Sequence, residues 1–129
     1  MLPQRSRMRR PAEFRLAVRV GRRAGRPLLT GHLFVPDAAG GPEGVRSGAP
    51  AKVGFIVSRA VGSAVVRNRV KRRIRDLMRG YVGSLPGGCL LVVRANPAAA
   101  TARQADLAAD LDLVIGRLLR RQVGALPRE

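Results

Sequence analysis

Apolar and polar positions alternate along this chain in two periods, and the switches between them predict the elements. From Val65 to Arg79 the sequence reads VVRNRVKRRIRDLMR. At about 100° per residue, Val66, Val70, Ile74, Leu77 and Tyr81 fall on one stripe of a helix. Arg67, Asn68, Lys71, Arg72, Arg75 and Arg79 gather on another face. Ser63, after Gly62, is the better N-cap for this helix, which is expected to run to about Tyr81, where Gly80 and Gly83 weaken it.

The same reading continues on both sides. Pro11 suits the first position of a helix, with Glu13 near the positive end of its dipole and Phe14, Ala17 and Val18 as its apolar stripe. Gly21 and the GRRAGRP stretch should end it. Leu28 to Val35 reads as a strand, and Lys52 to Ser58 as a second strand antiparallel to it. Cys89 to Val93 is a continuous apolar run, as expected of a central strand buried on both faces. Pro86-Gly87-Gly88 makes the turn before it. Thr101 is the expected cap of a last helix reaching about Arg121, with Leu107, Leu111, Val114 and Leu118 at core spacing. The order is αββαβα, an α+β sandwich in which helices pack on a small sheet. The 129 residues suit a single domain spanning 1–129, with a flexible basic segment over 1–10, a Gly- and Pro-rich mobile loop over 36–50 and a frayed tail over 122–129.

Charge changes the picture. The chain carries 25 Lys plus Arg against 8 Asp plus Glu, a net charge of +17, and only Lys52 and Lys71 are lysines. Hydrophobic residues make up 46% of it, so it is not a disordered basic tail. Aromatics are only 3%, so the core must be built from Val, Leu, Ile and Ala. Arginine grips phosphate oxygens through two hydrogen bonds and stacks on bases. Asp76 is the single acid between Arg67 and Arg79. Its ordinary role is a pair with Arg72, Arg73 or Arg79, but one carboxylate cannot balance this run. Like charges four residues apart repel. A phosphate backbone would relieve that cost and release counterions.

Equipment for catalysis is sparse. His32 is the only histidine, and a lone histidine is more often structural than catalytic. Asp106 and Asp110 share a helix face that reads as solvated rather than as a metal site. Cys89, the only cysteine, excludes an internal disulfide and lies in an apolar run, so it reads as an inert buried thiol. No Gly-rich phosphate loop has the strand–loop–helix context it requires. No catalytic residue and no metal ligand is assigned to the chain. No apolar stretch reaches the roughly 20 residues that span a bilayer. The Arg-rich start lacks the apolar segment of a secretory signal, and a cytoplasmic, reducing setting is expected. A scaffold of ribosomal type, a DNA-binding module using Asn68 to read adenine, and an independent nuclease are the rival readings.

The segment KVGFIVSRAVGSAVVRNRVKRRIRDLMR resembles the signature of the bacterial ribonuclease P protein component. That family shows a strand ending in VGxxVS, a glycine, and then AV-x-RNR-x-KR-x-x-R. The matching residues are Val53, Gly54, Val57, Ser58, Gly62, Ala64, Val65, Arg67, Asn68, Arg69, Lys71, Arg72 and Arg75. MRRPAEFRLAVRVGRR is similar to the family's opening helix, and LLVVRANPAAA to its later strand and turn. The resemblance implies an αββαβα fold with a left-handed crossover around the RNR helix, as in a ribosomal-protein domain of the same topology. It implies a catalytic RNA and precursor tRNA as partners, with no membrane and no small-molecule substrate. It implies endonucleolytic removal of the tRNA 5′ leader with Mg²⁺ bound mainly by the RNA. Arg67, Asn68 and Arg69 would meet the RNA, as would Arg79, with Lys71, Arg72 and Arg75 adding phosphate contacts on the rim of the leader cleft. A cleft between the first helix and the sheet would hold the leader. Phe14 matches a stacking aromatic there, Val18 stands where a second is common, and His32, or else Phe34, stands at a strand aromatic.

Overall fold

The computed structural model describes residues 6–36 and 50–122. Residues 1–5, 37–49 and 123–129, which hold most of the expected mobile segments, lie outside that description. The elements are α1 (Pro11–Val20), β1 (Arg22–Gly25), β2 (Leu29–Phe34), β3 (Lys52–Ile56), α2 (Ala64–Met78), β4 (Leu90–Ala95) and α3 (Gln104–Gln122). Short 3₁₀ turns at Val82–Ser84 and Pro97–Thr101 join the later ones.

The sheet order is β1-β2-β4-β3. Strand β4 is central, antiparallel to β2 and parallel to β3. Its residues Leu90 to Val93 are all buried, which the unbroken apolar run anticipated. The expected strand after the loop, β3, does run opposite to β2, but β4 stands between them, so the two do not pair. Strand β1 was not anticipated. It alternates poorly, with only Ala24 buried, and it forms because β2 offers it a ladder from Arg22↔Leu33 to Gly25↔Thr30.

The two faces of the sheet carry separate cores. On one, Leu16 and Ala17 of α1 pack with Met8 on Leu90 and Val92. On the other, Val70, Ile74 and Met78 of α2 and Leu107, Leu111, Val114 and Leu118 of α3 pack on Leu29, Leu33, Val53, Leu91 and Val93. This is the period-two alternation of a sheet sandwiched by helices. Residues 6–8 belong to the packed body rather than to an extended arm. Met8 supplies an apolar side chain to the α1 core, and its amide donates to Val53 O at 2.9 Å.

Strand β3, helix α2 and strand β4 form a crossover between parallel neighbours. The Lys52 amide donates to Cys89 O at 2.9 Å, while its side chain meets Glu13 on the α1 side. For an L-residue facing the viewer on an ascending strand, the peptide groups of that residue point right. Seen from the α1 side, β4 therefore stands to the right of β3, with α2 crossing behind. That connection is left-handed, against the usual rule.

Local signals set the helix ends. The Ser63 hydroxyl accepts from the Val66 amide at 3.3 Å, as the N-cap rule predicts. Helix α2 stops at Met78, one turn short of the expected end. Helix α3 begins at Gln104, not after Thr101, because Pro97–Thr101 closes its own tight turn first. Asp110, read as solvated, is only 7% exposed. It accepts from Arg26 Nε at 3.2 Å and from the Leu28 amide at 3.0 Å, pinning the β1–β2 turn onto α3.

Candidate nucleic-acid interface

Helix α2 is held from behind and charged in front. Val70, Ile74 and Met78 are fully buried, with Val66, Leu77 and Tyr81 packed at their margin. Asn68, Arg69, Arg72 and Arg79 are exposed, and Arg67, Lys71 and Arg75 are half-buried. Among the described residues the ion pairs are Arg26–Asp110, Lys52–Glu13 and Arg103–Asp106, and none engages a cation of α2. Asp76 is exposed and makes no such pair. The expected pair with an arginine one turn away does not form, since an exposed pair gains little over the hydration and side-chain freedom it gives up.

Two arginines of the helix are partly used by the fold. Arg73 Nη1 donates to Ala102 O at 3.1 Å, which ties α2 to the turn before α3. The Arg75 guanidinium lies 6.0 Å from the centroid of the Phe55 ring. That geometry stiffens Arg75 without neutralising it. Arg67 Nε is buried and has no hydrogen-bond partner.

The second surface lies on the opposite face of the sheet. Phe14 of α1 rests on Gly54 of β3: a Cβ added at Gly54 would stand 2.5 Å from both Cε1 and Cζ of that ring. Phe34, His32 and Thr30 of β2 alternate onto this face, beside Leu90, Val92 and Arg94 of β4. Both sequence candidates on β2, His32 and Phe34, thus face α1, because they are two residues apart on one strand. His32 is only 6% exposed, and its Nδ1 has no partner. It is a residue of the cleft floor rather than an open platform. Burial, followed by the nearby charges of Arg23 and Arg94, holds its pKa below the ordinary 6.5. Phe34 is half-buried, and Val18 is exposed on α1. The Glu13–Lys52 ion pair, 3.0 Å long, closes the end of the cleft near the N-terminus of α1.

Arg23 and Arg94 were missed as cleft residues. The signal was present in LLVVRAN: position 94 falls in phase with Leu90 and Val92, so an arginine there must project from the same face. The remaining reactive candidates are spent in the fold. Cys89 is buried, and that burial pushes its thiol up to about 12. No group of three or more His, Cys, Asp or Glu among the described residues could hold a metal ion. No helix among them is long and apolar enough to cross a membrane.

The fold is that of a small α+β domain whose sheet carries, on one face, an arginine-rich helix paired with no carboxylate among the described residues, and, on the other, Phe14, His32 and Phe34 gathered beside α1, a distribution of charge that suits a polyanion. The Ribonuclease P family model matches residues 2–119. A ribonuclease P protein component of Streptomyces avermitilis is 54% identical over 123 residues, covering 92% of this chain and 96% of the relative. One of Thermobifida fusca is 55% identical over 120 residues, covering 93% and 80%. The solved RNase P protein of Staphylococcus aureus superposes with a TM-score of 0.70 at 19% identity, covering 86% of this chain and 93% of that one. The protein from Thermotoga maritima gives 0.69 at 21%, covering 88% and 97%. The chain belongs to the ribonuclease P protein family, whose members serve the ribonucleoprotein endonuclease of tRNA 5′ maturation.

Proposed function

We propose that the chain binds a catalytic RNA through α2 and the single-stranded 5′ leader of precursor tRNA through the cleft under α1. The observation that carries this reading is the cationic face of α2, held rigid by Val70, Ile74 and Met78 yet paired with no carboxylate among the described residues. A rigid array of guanidiniums loses little conformational entropy on meeting phosphates and gains the release of their counterions. Arg67, Asn68 and Arg69 meet the RNA, with Lys71, Arg72, Arg75 and Arg79 extending the phosphate contacts. Phe14 offers its ring to a leader base, with Val18, His32 and Phe34 shaping the cleft around it.

The family requires divalent metal, and the Mg²⁺ that assists hydrolysis is bound mainly by the RNA. Three acids of this chain are already committed: Glu13 to Lys52, Asp106 to Arg103, and Asp110 to Arg26. The protein's share is positioning of the leader and neutralisation of crowded phosphates, in a cytoplasmic ribonucleoprotein. A ribosomal-type scaffold would bind RNA equally well with or without a leader.

The test is reconstitution. The full chain mixed with a bacterial catalytic RNA at low Mg²⁺ should raise 5′ cleavage of precursor tRNA well above that of the RNA alone. It should also favour precursor over mature tRNA in binding. No stimulation of a competent RNA would overturn the reading.

A further inference from the structure

Strand β4 is buried at every position except Arg94. An arginine on the central strand of a four-stranded sheet is anomalous, since such positions are normally covered on both faces. Helix α1 packs over Leu90 and Val92 and leaves Arg94, the next residue on that face, exposed. In register Arg94 is flanked by Thr30 of β2 and Ile56 of β3. Its side chain makes no hydrogen bond or ion pair with a described residue, so the fold does not need the charge. One row away lie Arg23, His32, Val92 and Gly54, the last of them under the Phe14 ring. From Gly54 to Arg94 is one strand across and two residues along, roughly 8 Å from the ordinary sheet spacings. That is the reach of a neighbouring nucleotide in a single strand.

We propose that Arg94 is a phosphate-binding residue on the cleft floor, gripping a backbone phosphate of the leader beside the base that rests on Phe14. This rests on the assignment of the cleft to the leader. The contact is indifferent to base identity, because a guanidinium fork on phosphate oxygens reads charge and shape only. It also suits a cleft in which Val18 and His32 supply little stacking area. The leader is then held by one ring and one floor cation rather than by a row of aromatics.

The experiment uses the reconstituted holoenzyme and precursor tRNAs in which single leader linkages are replaced by uncharged methylphosphonates. With the wild-type chain, one such replacement should weaken binding several-fold while its neighbours do little. With Arg94→Met, all-phosphate precursor should bind about tenfold more weakly, with a salt dependence shallower by about one unit of slope. The sensitive linkage should then lose its effect. Arg94→Lys should recover part of the affinity, and mature tRNA should bind all three proteins alike.

If the wild-type holoenzyme prefers precursor over mature tRNA and Arg94→Met keeps that preference intact, the proposal is overturned while the cleft assignment stands. An equal loss for mature tRNA would also overturn it. If wild type shows no preference for precursor, the cleft assignment fails and takes the proposal with it. The methylphosphonate scan on wild-type protein needs no variant, so a uniform response along the leader counts against Arg94 even if Arg94→Met folds poorly.

Discussion

Gly54→Ala tests the cleft through a single methyl group. The new Cβ would stand 2.5 Å from two carbons of the Phe14 ring and 3.2 Å from Met8 Cβ. Carbon atoms settle near 3.5–4.0 Å, so the ring must retreat by about 1 Å or swing away. Overpacking of this kind costs about 1–3 kcal/mol. The ring is half-buried and at the end of its side chain, so yielding rather than unfolding is expected, with a loss near the lower figure. Function should suffer as much as stability. Displacing the ring removes its stacking surface, worth about 1–3 kcal/mol per base, and so costs precursor tRNA affinity about fivefold to more than a hundredfold. Mature tRNA should bind as before. Urea denaturation of Gly54→Ala, Phe14→Ala and the double variant measures the coupling directly. In the Phe14→Ala background the added methyl meets no ring and only its 3.2 Å approach to Met8 Cβ remains, so its cost should fall sharply. Equal costs in both backgrounds, or a precursor affinity untouched by Gly54→Ala, would refute the placement of Phe14 on the cleft floor.

Three further outcomes are expected. Arg69→Ala should shift folding stability by less than about 0.5 kcal/mol, since Arg69 is exposed. It should weaken assembly with the catalytic RNA and lower the salt slope by about one, read from filter binding across a salt series. Asp110→Ala should destabilise the protein by about 2–4 kcal/mol in urea, because it removes the Arg26 contact and leaves the Leu28 amide without its partner. His32 has a folded pKa below 6.5, so the unfolded chain takes the proton first as pH falls. Its contribution to stability is therefore complete above pH 6.5 and declines below it, and His32→Gln should flatten that part of a stability–pH curve.

Much of this arrangement was legible in the residues, and the failures share a cause. Helix α2 followed from its own periodicity and from Ser63, both of which act within a few residues. Strand β4 followed from an apolar run that admits no solvated face. Strand β1 was hidden because RRAG has no pattern of its own and forms only against Leu33, His32, Gly31 and Thr30. The place of β4 between β2 and β3 was hidden likewise, since the pairing joins segments far apart in the chain. Asp110 looked solvated because helical spacing cannot announce that the β1–β2 turn will arrive over it. In the cleft, period-two alternation sent both His32 and Phe34 to the α1 side. The same rule, applied to Leu90, Val92 and Arg94, would have exposed the floor cation.

Two glycines explain how one thin sheet carries two distinct surfaces. A Cβ on Gly31 would stand 2.5 Å from Val114 Cγ1 and 2.9 Å from Leu118 Cδ1, so this glycine brings α3 hard against β2. Gly54 does the same for Phe14 on the opposite face. Close docking of α3 fixes the far wall of the core against which Val70 and Ile74 seat α2, and so fixes the array of guanidiniums in front of them. Close docking of Phe14 fixes the height of the cleft. Because the two glycines lie on different strands and different faces, the cationic ridge and the cleft can be perturbed separately although both hang on β4. The consequence is a division of labour: changes under α3 should act on stability and RNA assembly together, and changes under α1 on the distinction between precursor and mature tRNA.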